Sequence, residues 1–540
     1  MCAMDLRFTL PDVTQGTPAE SRPTQLKRWL ADLPMLNVAE ASQMLFKAVS
    51  VLNRSEIEER VRGKLMDLYR PPVKTICAEA GKLYIGLPLP LPEKNKLVVE
   101  RVCQFQTEMA YGYKRMVLQS ARKAKLSGAE KDDLAFAIQR SIYYLMQVLA
   151  KSFELYAPSP AGTWYEIHQL YRYAEIEGVT EMPVADELND TLPKSSVGHV
   201  YKQALLLDFC DPYHLSVRML EKIRRYLDRW AGRAHISMAV AALRPDCQFL
   251  INLNNDRAGV VNIESQPITT EAQYRLLTTV DLAQVMHQQL SALQVGSSPD
   301  PDGLEQDFFA NQGEEMLMRL ITSWGLNPKR YFPRNTHQGR HLNVATGIDA
   351  INFFVNGATE FNCSTNEVGP QPRRTQIGGT LGMAASNQRV WQSAVWNLVD
   401  EGAGGFSLRK SDPYLEKVRV GDLIATKAPH QNGPWNIAAV RWVRSTGPHD
   451  IDLGAQRLAP GGEAVALLPA DAVNGEFRKA LLLPAVTALR QAPTLIAPRG
   501  LFKPHRVMIL DSGYRTHQIH ATKLMNVTGS FEQFQFAMDT

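Results

Sequence analysis

NLVDEGAGGFSL, residues 397–408, contains two apolar runs that are separated by acidic residues and several glycines. Three further runs follow it, VRVGDLIATK (418–427), WNIAAVRWVRS (435–445) and DIDLGAQRL (450–458). Short β-branched or aromatic runs that alternate with Gly, Pro, Asn and Asp turns are typical of antiparallel strands. Residues 340–460 are therefore predicted to form an antiparallel sheet or barrel.

The same pattern continues to the end of the chain. Residues 477–540 contain the runs KALLLPAV, RVMILDS, QIHATKLMNV and FEQFQF. We therefore expect a β-rich C-terminal half made of one or two domains, with a first module over 326–460 and a β-rich extension over 461–540.

The N-terminal half has a different pattern, with apolar residues at helical spacing. It predicts a helical bundle over 37–235, in which Pro71–Pro72 ends the second helix. Residues 236–325 combine short β-type runs with two helices and predict a small α/β segment. Residues 1–36 are polar and contain prolines, so a flexible arm is predicted there. The fold class is thus multidomain α + β.

Composition limits the class of protein further. A chain of 540 residues is too long to fold around a single hydrophobic core. Its content of 45% hydrophobic and 21% charged residues is ordinary for globular proteins. The net charge of +4 is too mild to indicate a duplex nucleic acid partner. The six scattered cysteines show no zinc-type spacing, and neither a signal peptide nor a transmembrane segment is evident. We expect a cytoplasmic protein.

Two short motifs flank the start of the predicted barrel. KRYFPR (329–334) places Arg330 and Arg334 four residues apart, ahead of the first strand. Asp400, Gly402 and Gly405 lie at the strand-to-strand turn of 397–408. In this order the motifs and the strands after them resemble the PilZ domain, whose pattern is Arg-x-x-x-Arg followed by Asp/Asn-x-Ser-x-x-Gly. The resemblance covers residues 326–460.

The resemblance implies a small β-barrel that binds cyclic di-GMP, with Arg330 and Arg334 on a flexible N-terminal segment. Arginine forks suit phosphates and the O6/N7 edge of guanine. The carboxylate of Asp400 would accept hydrogen bonds from the N1/N2 edge of guanine. Glycines such as Gly402 and Gly405 let backbone N–H groups approach a phosphate. No other cofactor and no metal are implied, and the helical half is expected to bind a protein partner.

The chain departs from the family pattern in two ways. Gly402 stands where the family has Ser, so one hydroxyl hydrogen bond is missing. Arg334 and Asp400 are also 66 residues apart, which requires an insertion over about 356–390 within the barrel. A PilZ fold that has lost its ligand and acts as a structural or adaptor protein is therefore the alternative.

Other candidate sites are less specific. The arginines of LEKIRRYLDRWAGR (220–233) repeat Arg-x-x-x-Arg on an amphipathic helix, where a solvated face explains them better than RNA binding. His337 and His341 are four residues apart but have no acidic partner in sequence, and His517 and His520 fit a surface strand. No nucleotide-hydrolase, protease or Rossmann motif occurs, so we do not expect an enzyme.

Overall fold

The computed structural model describes residues 6–538 apart from 15–18, 190, 239–245, 261–270, 301–302, 305, 311, 326–333, 365–390, 412–416, 431, 448–449, 473–474 and 486–491. Contacts divide the chain into two compact units. The helical unit comprises Met1–Leu87 and Leu91–Arg330, and the barrel unit comprises Pro88–Pro90 and Tyr331–Thr540. No described helix is both long and apolar enough to cross a lipid bilayer.

Long amphipathic helices build the helical unit. Their bounds are α1 Pro23–Ala31, α2 Val38–Asn53, α3 Glu59–Gly81, α4 Glu93–Ala121, α5 Gly128–Glu154, α6 Thr163–Glu177, α7 Val197–Phe209 and α8 Val217–Trp230. Side-chain caps fix several starts. Asn37 accepts a hydrogen bond from the Glu40 backbone N–H, and Ser127 and Glu130 form a capping box. The predicted helical N-terminal half is confirmed.

Two local predictions in this half are wrong. Helix α3 runs through Pro71 and Pro72, because buried residues on both sides, such as Tyr69 and Val73, hold it in place despite the lost backbone hydrogen bonds. The flexible arm predicted over 1–36 contains α1, whose Leu26 is buried.

The segment before α1 is also held in place by hydrogen bonds. The Thr9 N–H donates to Glu166 Oε1 over 2.6 Å, and its carbonyl accepts from Lys114 Nζ over 2.8 Å. Lys114 and Glu166 are themselves a buried ion pair in the middle of the bundle. Although residues 1–36 are polar in composition, the backbone of Thr9 therefore forms hydrogen bonds with the two buried charged groups.

Short strands and three more helices complete the helical unit. The strands are β1 Val184–Ala185, β2 Lys194–Ser195, β3 His235–Met238, β4 Gln248–Asn252 and β5 Tyr274–Thr278. The last three form one antiparallel sheet in the order β3-β5-β4. The helices are α9 Val280–Gln294, α10 Gln306–Ala310 and α11 Gly313–Gly325.

A closed barrel of six strands begins the barrel unit. Its elements are β6 Asn335–Thr336, β7 His341–Thr346, α12 Ile348–Val355, β8 Ala394–Gly402, β9 Gly405–Ser411, β10 Leu423–Lys427, β11 Asn436–Ser445 and β12 Asp450–Ala459. The order β8-β7-β10-β11-β12-β9 closes through pairing of β8 with β9, and β6 lies alongside β8. The predicted antiparallel β fold is confirmed.

A second closed barrel follows without a connecting domain. Its strands are β13 Glu463–Pro469, β14 Arg478–Leu483, β15 Thr494–Ala497, β16 Val507–Asp511, β17 Thr516–Val527 and β18 Glu532–Met538, in the order β13-β14-β15-β18-β17-β16. The β-rich extension expected over 461–540 is thus a barrel with its own apolar core, which includes Val465, Leu467 and Phe534.

A shared core joins the two barrels through α12. Ile351 packs in one cluster with Leu423 of the first barrel and Leu481 of the second. The buried Asn352 side chain donates to the carbonyls of Val465 and Ala480 over 3.1 and 2.9 Å. These contacts order both barrels as one structure and leave the β8–β9 end of the first barrel outside the shared core.

Candidate functional site

The β8–β9 hairpin carries the glycine-rich motif. Its register pairs Asp400 with Ser407, Glu401 with Phe406 and Gly402 with Gly405. A bulge between Leu398 and Asp400 shifts the register just before the motif. Bulges re-aim the side chains that follow them, so Asp400 comes to the barrel surface while Leu398 stays in the core.

Arg334 reaches this hairpin through strand β6, which pairs with β8. Strand β6 pairs Asn335 with Glu401 and Thr336 with Asp400, which brings Arg334 to the end of β8. Its Nη1 lies 2.6 Å from Asp400 Oδ1, with side-chain exposures of 40% and 22%. Two predicted site residues that are 66 positions apart in sequence are therefore in direct contact.

The remaining predicted arginine cannot be placed. Arg330 lies outside the described residues. Within the described chain, the proposed site thus consists of Arg334, Asp400, Gly402 and Gly405.

A second acidic residue in the hairpin, Glu401, contacts two arginines that the sequence did not point to. Glu401 lies 3.3 Å from Arg340, 3.2 Å from Arg457 and 3.3 Å from His337. The Arg457 guanidinium also lies 5.7 Å from the centroid of the Phe406 ring, within cation–π range. Arg340 and Arg457 add positive charge next to Asp400, and Glu401 balances part of it.

Packing within the barrel gives Gly405 a structural reason of its own. Its φ is not positive, so the backbone conformation alone does not require glycine. A Cβ at this position would collide with the backbone oxygen of Ala455 on the neighbouring strand β12. Glycine is required here by strand packing, and any role in ligand binding comes in addition.

The barrel face beside Asp400 is lined by small residues and one indole. Ser407, which pairs with Asp400, also pairs with Gly454 of β12, and Gly454 pairs with Trp442 of β11. A Cβ on Gly454 would collide with the Trp442 ring, so the indole lies across the glycine. The barrel face beside Asp400 therefore carries a half-buried indole, a side chain on which a base can stack.

A cross-strand ion pair borders the same face. Arg409 of β9 contacts Asp452 of β12 through two hydrogen bonds of 2.6 and 2.7 Å. Hydrogen bonding to Asp452 raises the pKa of Arg409 above its ordinary value. Because its carboxylate partner is fixed in a fork arrangement, this arginine is already occupied.

The arginines of α8 form the solvated face that the sequence indicated only in part, since Arg225 is exposed but Arg224 and Arg229 are partly buried. Arg229 lies 2.8 Å from the buried Asp300, and Arg224 lies near Glu154 and Glu221 at 3.7 and 3.1 Å. Arg225 stands over the ring of Phe308. This helix therefore uses Arg224 and Arg229 in ion pairs within the helical unit, whereas Arg218 and Arg225 are exposed.

The histidine pairs give no metal site. No group of three or more His, Cys, Asp or Glu side chains among the described residues is placed to hold a metal ion. His337 contacts Glu401, whereas His341 pairs with Asn397 in the β7–β8 ladder. His517 and His520 lie on β17 of the second barrel.

Three family descriptions match successive parts of the chain. "Cyclic-di-GMP receptor FimW, N-terminal domain" matches residues 24–242. "Cyclic-di-GMP receptor FimW, middle PilZ domain" matches 248–395 and 373–463, and "FimW C-terminal beta-barrel domain" matches 464–538. The change from the middle to the C-terminal match falls at the start of β13.

One curated protein shares this organisation along its whole length. The cyclic-di-GMP receptor FimW of Pseudomonas aeruginosa strain PAO1 is 25% identical over 594 aligned residues, which cover 99% of this chain and 93% of the relative. No solved structure matches the chain.

Proposed function

Since models of the FimW N-terminal, middle PilZ and C-terminal barrel domains match successive parts of the chain, we propose that it is a bacterial receptor for cyclic di-GMP. The observation that carries the proposal is the contact between Arg334 and Asp400 on the β8–β9 hairpin. The PilZ pattern places ligand-binding residues at these positions, and the relative FimW is itself named for this ligand.

The chemistry of the hairpin suits a cyclic dinucleotide. Cyclic di-GMP offers two phosphates, which accept hydrogen bonds, and two guanines, which both accept and donate. Arg334 uses Nη1 for Asp400 and is 40% exposed, so its guanidinium retains donors for a phosphate or a guanine edge. Asp400 holds the arginine in place and supplies an acceptor for the N1/N2 edge of guanine.

The neighbouring residues add to both kinds of contact. Arg340 and Arg457 bring two more guanidinium groups to the hairpin, where they would attract the two ligand phosphates. Trp442 borders the adjacent surface with an indole on which a guanine can stack. The proposed site therefore combines phosphate attraction, edge recognition and stacking.

Binding would be converted into a signal through the segment that precedes β6. Arg330 and Arg334 belong to the same Arg-x-x-x-Arg motif, so one ligand would engage both ends of this short segment. A ligand that binds one arrangement of the segment more tightly shifts the population toward it. We propose that the helical unit passes this change to a protein partner in the cytoplasm, and that the protein acts as a receptor without catalysing a reaction or holding a resident cofactor.

A degenerate PilZ domain in an adaptor protein is the second candidate. Two observations favour it, namely Gly402 in place of the family's Ser and Glu401, which already pairs with Arg340 and Arg457. This candidate predicts a stable protein partner of the helical unit and no affinity for the dinucleotide.

Isothermal titration of the full chain with cyclic di-GMP separates the two candidates. The receptor proposal predicts saturable heat at micromolar ligand. No detectable heat at tens of micromolar ligand, a concentration that corresponds to about 6–7 kcal/mol of binding free energy, would reject it. Incubation with cyclic di-GMP and magnesium tests the proposed lack of catalysis. Turnover at about one per second or faster would identify an enzyme instead.

A further inference from the structure

A cavity of about 470 Å³ opens in the helical unit. One wall is the turn between α2 and α3 with the first turn of α3, and the other is one face of α4. Arg115 and Gln119 of α4 line it together with Arg122, the C-cap residue of this helix, and their spacing of four and three residues places them on one face. Its volume lies in the range of pockets that hold small organic ligands.

Arg62 lies at the buried end of this cavity. Only 1% of the residue is exposed, and its two terminal nitrogens donate to the carbonyls of Leu52 and Ser55 over 3.0 and 2.8 Å. These bonds cap the C-terminal end of α2. The third guanidinium nitrogen, Nε, has no hydrogen-bond partner among the described residues. A buried guanidinium N–H without an acceptor is uncommon and indicates a place for one.

Arg115 repeats this feature from the opposite wall. Its Nε is also buried and has no acceptor in the described part of the chain. The side-chain oxygen of Gln119 is likewise buried and has no donor there. Burial, and after it the charge of Arg115, lower the pKa of Arg62 to about 10. Burial, and after it the charge of Arg54, lower the pKa of Arg115 as well, and the Glu108 and Asp12 carboxylates act in the other direction.

The start of α3 adds positive potential at the same place. The helix begins at Glu59 after the N-cap residue Glu58, whose side chain makes no capping hydrogen bond. The first-turn N–H groups of this long helix therefore lack a capping bond from Glu58, and the helix dipole favours an anion there.

Two carboxylates limit what kind of anion fits. Glu56 and Glu58 line the cavity and are exposed, so they stand at its rim. A bare polyanion would be repelled by them, whereas a ligand that also carries hydroxyl or amino donors would satisfy them and the Gln119 oxygen.

We propose that this cavity binds a phosphate monoester with a polar organic part, such as a sugar phosphate or a mononucleotide. The phosphate accepts from Arg62, Arg115 and Arg122, and the organic part donates to Gln119, Glu56 and Glu58. The cyclic-dinucleotide proposal concerns other residues on the first barrel, so the two proposals stand or fall separately.

Isothermal titration of the full chain with ribose 5-phosphate, in a buffer free of phosphate, tests the proposal. Wild type should bind it, unphosphorylated ribose should not bind, and inorganic phosphate should bind several-fold more weakly. Arg115→Gln and Arg122→Gln should each weaken binding about tenfold or more. Arg122 is exposed at the end of α4, so its variant keeps the test valid if Arg115→Gln folds poorly.

Two controls decide between this cavity and other cationic surfaces. Arg218→Gln removes an exposed arginine of α8 outside the cavity, and Arg334→Ala removes the arginine of the hairpin. Both should bind ribose 5-phosphate as wild type does. A functional site should supply at least roughly 3 kcal/mol of binding free energy, which corresponds to a dissociation constant of about 5 mM. Absence of binding by wild type at this ligand concentration overturns the proposal. Equal affinity in wild type, Arg115→Gln and Arg122→Gln overturns it as well.

Discussion

Nη1 of Arg334 lies 2.6 Å from Oδ1 of Asp400, and this ion pair ties the residue before β6 to the end of β8. The arginine is 40% exposed, so solvent screens the pair and its contribution to folding is small, about 0–1 kcal/mol. A pair that contributes little to stability can be exchanged for ligand contacts at low cost. We therefore regard it as an arrangement for binding rather than a structural element.

The first prediction concerns Gly402, where the chain departs from the PilZ pattern. Gly402→Ser restores the residue that the family carries, and its hydroxyl can donate to phosphate or guanine. We expect the affinity for cyclic di-GMP to stay the same or to tighten by up to about tenfold, roughly 1.4 kcal/mol. Side-by-side titration of the two proteins measures this, and a marked loss of affinity would mean that the hairpin is wrongly aligned with the family motif.

The second prediction separates the two adjacent glycines of the hairpin. A Cβ at Gly405 would collide with the Ala455 backbone oxygen, whereas a Cβ at Gly404 would meet nothing within 4 Å. Gly405→Ala should therefore destabilise the first barrel by about 1–3 kcal/mol, as other overpacked substitutions do. Gly404→Ala is the matched control and should change the stability by less than about 0.5 kcal/mol.

Amide hydrogen exchange in β9 and β12 is the appropriate measurement, because it reports on this barrel alone. Faster exchange in Gly405→Ala than in Gly404→Ala is expected. Equal protection in both variants would show that β9 can move away from β12 without cost.

The third prediction is a pH dependence at Asp422, just before β10. Burial raises the pKa of this carboxyl from 3.8 to about 6, although the Arg419 backbone N–H and charge act in the other direction. The folded protein therefore holds this proton more tightly than the unfolded chain. Between about pH 4 and pH 6 the free energy of unfolding should fall as the pH rises, by roughly 1–3 kcal/mol.

Asp422→Asn isolates this effect because asparagine does not titrate. Its amide oxygen can still accept from the Arg419 backbone N–H, which lies 2.8 Å from the aspartate. The free energy of unfolding of the variant minus that of wild type should therefore be larger at pH 7 than at pH 4. Hydrogen exchange of β10 and β11 at both pH values measures the difference, and a difference that is the same at both would refute the raised pKa.

The fold class was predictable from sequence because period-two alternation and turn residues act locally. The closure into two six-stranded barrels was not, since it depends on pairings between distant strands such as β13 and β16. The contact of Asn352 with the Val465 and Ala480 carbonyls is equally nonlocal. The prediction that Pro71 and Pro72 end a helix was wrong, because burial of the surrounding α3 residues outweighs the strong local tendency of proline to break helices.

The candidate site was predictable only where a motif marks it. Arg334 and Asp400 were selected by the family pattern and lie in contact. Glu401, Arg340 and Arg457 belong to no motif, and Arg457 is 56 residues from Glu401 in sequence. The register of β12 in the barrel brings them together, and that register cannot be read from local sequence.

The dissociation constant of cyclic di-GMP for Arg334→Ala, compared with that of wild type by isothermal titration, tests the account most directly. Loss of a charged donor to the ligand should weaken binding by about 1.5–3 kcal/mol, roughly ten- to hundredfold. Arg60→Ala, which removes an exposed arginine–aspartate pair of 2.9 Å in the helical unit, is the control and should bind as wild type does. Saturable binding by wild type with this selective loss is the predicted result, whereas equal affinities in all three proteins would contradict it.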